Sequence, residues 1–117
     1  MKYKLVNGWT KEKVMEQVRK YNNGTQAVKD GTCLYNHNSN RCAIGCFIPD
    51  GHPALGSRER VITLLSDYPD LISYMPFSDS DALRYFQRSH DVCDMGHFNG
   101  DTYFAIQNFL DIQVSDD

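Results

Sequence analysis

Residues 32–50 read TCLYNHNSNRCAIGCFIPD, and no other stretch limits the fold so strongly. Its centre, Asn36 to Asn40, is crowded with Asn and Ser. These side chains compete for backbone hydrogen bonds and tolerate left-handed conformations, so a helix does not run through them and a loop is expected. Arg41 to Ile48 is apolar but short, and periodicity does not separate a third strand from a buried helical turn at that length. Pro49-Asp50-Gly51-His52-Pro53 then ends the segment. The middle of the chain is therefore strand and turn, and helices belong to its flanks.

Upstream, Asp30-Gly31 sits between Ala27-Val28-Lys29 and Thr32-Cys33-Leu34-Tyr35, the arrangement of a tight hairpin. Residues 26–48 thus predict a small antiparallel hairpin or meander. Val14, Val18 and Tyr21 recur at helical spacing with Met15 beside them. Thr10 serves as N-cap, Trp9 as a staple against Val14, and Asn22-Asn23-Gly24 as the stop of a helix over 11–22. Downstream, Val61, Ile62, Leu64, Leu65 and Tyr68 form an apolar stripe after a Ser57 cap, and Pro69 starts a short turn through Leu71 and Ile72. Ser78-Asp79-Ser80 caps a third helix whose stripe is Leu83, Phe86, His90 and Cys93. Asn99-Gly100-Asp101 opens a last helix that buries Ala105, Ile106, Phe109, Leu110 and Ile112. The expected fold class is α+β: a mostly helical single domain over residues 1–117, with about four helices around the small β element.

Charge bounds the partners. A net charge of −3 argues against nucleic acid, where a basic face should dominate. Lys2, Lys4, Lys11, Lys13, Arg19 and Lys20 load the first fifth of the chain and read as a solvated helix face. No stretch reaches membrane-spanning length, and MKYKLVNGWTKEK has no apolar run of signal-peptide length. The expectation is a cytoplasmic protein with no membrane association. Its four cysteines are then thiols or metal ligands before they are disulfides.

Three sets of residues could carry chemistry. Cys33, Cys42, Cys46 and His52 run as C-x8-C-x3-C-x5-H, a donor set that zinc accepts in a tetrahedron, although the spacing permutes that of the CCCH finger. A second cluster, His90, Cys93 and His97, shares a helical face if the helix lasts that long. Cys33 or Cys42 could instead be a nucleophile with His90 as its base and Asp91 as orienter, because only the thiolate is reactive. On a regular helix Asp91 diverges from His90 by about 100° and Asp94 is better placed. The third reading is structural: His90 lies on the stripe of Leu83 and Phe86 and donates to a backbone carbonyl of the 32–50 segment. Tyr74-Met75-Pro76-Phe77 fills the core from a loop or forms an exposed apolar patch, and Asp79, Asp81, Asp91, Asp94 and Asp101 form a solvated acidic face. Gly45 and Gly51 read as turn or close-packing glycines, and no nucleotide-binding, H-E-x-x-H or calcium-loop motif occurs.

Cys33-x-Tyr35, then Arg41-Cys42-Ala43-Ile44-Gly45-Cys46-Phe47-Ile48-Pro49-Asp50, then Phe86-Gln87-x-x-His90-Asp91 together resemble a pattern found in small proteins of bacteriophage and bacterial genomes. That uncharacterised family reads C-x-Y, then C-A-[VI]-G with I-P-D, then L-Q-x-x-H-D. The resemblance covers the middle half of the chain and singles out Cys33, Cys42, His90 and Asp91. It also implies that other residues, such as tryptophan, replace Cys46, which weakens the zinc set. The functional expectation is a phage-type accessory protein that binds a host or phage protein and takes no cofactor. A cysteine-dependent hydrolase or transferase and a zinc-stabilised module are the alternatives.

Overall fold

Thr10 accepts a hydrogen bond from Lys13 N through its hydroxyl and starts helix α1, Lys11–Tyr21. One stripe of α1, Val14, Met15 and Val18, is buried, and Glu12, Arg19 and Lys20 stay on the wet side. A computed structural model describes residues 2–29, 32–93 and 99–115, with the side chains of residues 28, 29, 32 and 33 outside that description. His97, which would complete the expected cluster with His90 and Cys93, and Asp94, the better-placed orienter, lie outside it.

The expected hairpin is present as β1, Val28–Lys29, antiparallel to β2, Thr32–Cys33. The stretch 36–40 is not a loop. It forms a second hairpin, β3, Asn36–His37, paired with β4, Asn40–Arg41. The polar composition that suggested a loop is what makes this turn. Asn38 and Ser39 both take positive φ, 50° and 66°, as a two-residue hairpin with a primed turn requires. The apolar run after it is neither a long strand nor an α-helix. It ends β4 and then winds into a 3₁₀ turn, Gly45–Phe47. That turn passes directly under the preceding segment: a Cβ on Gly45 would stand 2.1 Å from the Tyr35 carbonyl oxygen. Only glycine permits this approach.

The second half is helical. A 3₁₀ turn, Pro53–Gly56, precedes α2, Val61–Asp67, and a second, Pro69–Tyr74, follows it. Ser57 does not cap α2. Its hydroxyl accepts from Glu59 N, and Arg60 occupies the cap position without a side-chain bond. Asp79 caps α3, Ser80–Asp91, and Asp101 caps α4, Thr102–Gln113, each through its carboxylate. Ile62 and Ile112, assigned by periodicity to buried stripes, are 53% and 56% exposed. Met75, Pro76 and Phe77 are buried, whereas Tyr74 is exposed.

A single hydrophobic core draws residues from Val14 to Val114. Phe86 of α3 lies at its centre, with ring centroids 5.7 Å from Phe47, 5.8 Å from Phe77 and 5.9 Å from Phe109. Such aromatic pairs add about 0.5–1.5 kcal/mol each beyond their buried area. α4 packs on both α1 and α3. Asn22, which the sequence suggested only as a helix stop, ties these parts together. Its amide donates to Arg41 O and Thr25 O, and its Oδ1 accepts from Gly24 N and from the Thr102 hydroxyl at 2.6 Å. The architecture is α+β, mostly helical, with small antiparallel pairs. Among the described residues no helix is long and apolar enough to cross a membrane.

Candidate functional site

The last two turns of α3 carry Gln87, His90 and Asp91. Because side chains four apart share a helix face, Gln87 and Asp91 lie together. The Gln87 amide donates to Asp91 Oδ1 at 3.2 Å, and its Oε1 accepts from Ile44 N at 2.9 Å. His90 is fully buried. Its Nε2 accepts from Ala27 N at 3.0 Å, which assigns the proton to Nδ1, and Nδ1 then donates to Asp91 Oδ1 at 2.9 Å. Gln26 donates to Asp91 O at 2.7 Å. Helix α3 thus grips the start of the first hairpin at Ala27 and the 3₁₀ segment at Ile44 by their backbone N–H groups.

Two expectations need correction here. His90 does not donate to a carbonyl of the 32–50 segment; it accepts an N–H from Ala27, outside that segment. Asp91 does orient His90, although the two are sequence neighbours. Asp91 is the last residue of α3, and the carboxylate reaches back along the helix end to the imidazole. The pair has the bonding pattern of an oriented base. Its remaining nitrogen is already occupied by Ala27 N–H, so abstracting a proton would first require that bond to break.

The other motif residues are likewise engaged within the fold. Cys42 is fully buried and its Sγ accepts from Gly45 N at 3.4 Å. Cys46 is also fully buried, pointing its thiol toward Val18 O and Arg41 O. Burial pushes the Cys46 thiol far above its ordinary range, with the Cys42 sulfur adding to the rise. The Tyr35 hydroxyl donates to Glu59 O, and burial pushes its phenol up as well. Arg41 is buried, donates to Ile48 O at 2.9 Å, pairs with Asp50 and stands 4.3 Å from the Tyr21 ring centroid.

His52 caps the turn that starts at Pro53. Its Nδ1 accepts from Ala54 N at 3.0 Å and its Nε2 donates to Asp70 Oδ2 at 2.9 Å. Both ring nitrogens are therefore committed to protein partners. The Cys33 side chain lies outside the described residues. Among the described residues no group of three or more His, Cys, Asp or Glu is placed to hold a metal.

A different set of residues forms an open concavity. The segment 58–63 and the outer face of α3 enclose a groove of about 500 Å³ lined by Arg58, Arg60, Arg84 and Arg88. Leu34, Val61 and Ile62 supply its apolar wall, and Glu59, Gln87 and Asp91 line it too. Arg84 pairs with Asp81 at 3.3 Å. Arg58, Arg60 and Arg88 are exposed and form no ion pair among the described residues. Four arginines against two carboxylates make this groove locally positive on a chain of net charge −3. Arg84 and Arg88, four apart on α3, repel one another. The groove escaped the sequence reading because Arg58 and Arg60 are brought to Arg84 and Arg88 only by the packing of α2 on α3. The short Arg-x-Arg run at 58–60 was the one visible signal.

Comparison with protein-family models, with curated proteins and with solved structures finds no match to this chain.

Proposed function

We propose that the chain is a phage-type accessory protein that acts in the cytoplasm by binding a protein partner, and that the partner docks in the arginine-lined groove beside α3. One observation carries this reading: the groove is a concave polar surface in which Arg58, Arg60 and Arg88 form no ion pair among the described residues, Arg84 alone being held by Asp81. The motif residues Cys42, His90 and Asp91 support it from the other side, because the bonds described for them hold the chain together. The phage-type assignment rests on the motif resemblance. The His90–Asp91 pair favours a second reading, a cysteine-dependent hydrolase or transferase. The burial of Cys42 and the commitment of His90 Nε2 to Ala27 N–H make it the weaker one.

The test is site-specific photo-crosslinking in the producing cell. A benzophenone amino acid at position 62, inside the groove, should trap a discrete protein adduct. The adduct should disappear when Arg60→Ala and Arg88→Ala are added. Equal trapping from position 104 on α4, with nothing specific from position 62, would defeat the proposal.

A further inference from the structure

We infer that the groove takes a short acidic segment of its partner, with an apolar side chain seated beside the carboxylates; this deepens, and rests on, the reading of the groove as the docking site. The ligand's sign follows from the lining. The chain has 12 Lys and Arg residues in all, and four of them line this one groove. Every cation there is arginine, whose planar fork holds a carboxylate through two parallel N–H donors, a geometry that lysine lacks. Arg58, Arg60 and Arg88 form no ion pair among the described residues, so an incoming carboxylate replaces repulsion with pairing.

The apolar part of the ligand follows from the rest of the lining. Ile62 is 53% exposed and borders the groove with Val61 and Leu34. A side chain laid against that wall removes apolar surface that the fold leaves in water. A purely ionic ligand would leave it wet.

The positive field is also too local for a long polyanion. A nucleic-acid strand gains affinity by neutralising many phosphates along a basic track. Here Glu59 and Asp91 interrupt the lining, Asp81 already holds Arg84, and the chain is acidic as a whole. A strand running past the groove finds no continuous basic track in its lining. A peptide places its few carboxylates only where the arginines stand.

Fluorescence anisotropy with short labelled probes tests this directly. An acidic peptide with a central leucine should bind and weaken as salt rises. The same peptide without the leucine should bind several-fold more weakly, and its all-glutamine counterpart not at all. The Arg60→Ala/Arg88→Ala variant should bind the acidic peptide at least about tenfold more weakly, having lost two charge-assisted contacts. Phe104→Ala, outside the groove, should bind as the parent does. Equal binding by the arginine variant, or displacement of the peptide by oligothymidylate or inorganic phosphate as effectively as by unlabelled peptide, would overturn the inference. If position 62 still traps a protein while acidic peptides fail to bind, only the inference about the segment falls. If position 62 traps nothing either, the docking reading falls with it.

Discussion

Helix α3 presents two polar surfaces of opposite character. On one side, Gln87, His90 and Asp91 bond to Ile44 N, to Ala27 N and to one another, with Gln87 and Asp91 also bordering the groove. On the other, Arg84 and Arg88 face a groove in which cations outnumber acids. The first surface has the residue types associated with catalysis and uses them to clamp backbone. The second is built from ordinary surface residues: Arg84 is held only by the exposed Asp81, and Arg88 forms no ion pair among the described residues. Reactive side chains in this chain thus serve as scaffold where they are described, and the groove proposed for docking is marked instead by charged groups without ion pairs among the described residues.

This contrast is sharpest in what each surface contributes to stability. The largest effect belongs to His90→Ala. It removes a fully buried ring and strands Ala27 N–H, so it should cost roughly 3–5 kcal/mol in urea unfolding. A loss below about 1 kcal/mol would show that the grip on Ala27 is dispensable.

A smaller effect comes from alkali. The folded state raises the pKa of Cys46 above its ordinary value of 9.0, so folding disfavours the thiolate. The contribution is intact below pH 9.0 and falls away above it, by at most about 1.4 kcal/mol per pH unit while only the unfolded chain is ionised. The urea midpoint should hold up to about pH 9.0 and drop as the pH is raised further, and Cys46→Ala should reduce the drop. A midpoint that stays flat above that pH would contradict the burial of the thiol. The smallest effect is expected from Arg60→Ala/Arg88→Ala, whose melting should stay within about 0.5 kcal/mol of the parent. A substantial loss would mean that these arginines belong to the scaffold after all.

The sequence disclosed the helices well because their signals are local. Thr10, Asp79 and Asp101 occupy cap positions, and apolar residues recur at 3.6-residue spacing from α1 to α4. It disclosed the first hairpin through Asp30-Gly31. It missed the second because Asn38-Ser39 is written in the same residues as a loop, and only the positive φ of both distinguishes the two. It singled out His90 but reversed the direction of its hydrogen bond, since an imidazole can donate or accept and the partner lies 63 positions away. Ile62 and Ile112 lie beside apolar stripes yet face water, because a stripe defines a face only to within one neighbouring position. The groove was hidden for a more basic reason. Its arginines belong to stretches that meet only in the folded chain, and no spacing rule links position 60 to position 88.

The bond between Asn22 and Thr102 spans 80 positions, and it has a consequence for the order in which the chain folds. Early contacts, such as the two hairpins, close over short loops at little entropic cost, whereas joining the α1 end to α4 closes a very long one. Until that happens, α1 lacks the helix that packs on it, and Val18, whose carbonyl faces the Cys46 thiol, lacks a finished core around it. Buried sulfur in the finished protein is thus accessible sulfur in the partly made one. The topology leaves the shielding of Cys42 and Cys46 to the last long-range closure of the fold.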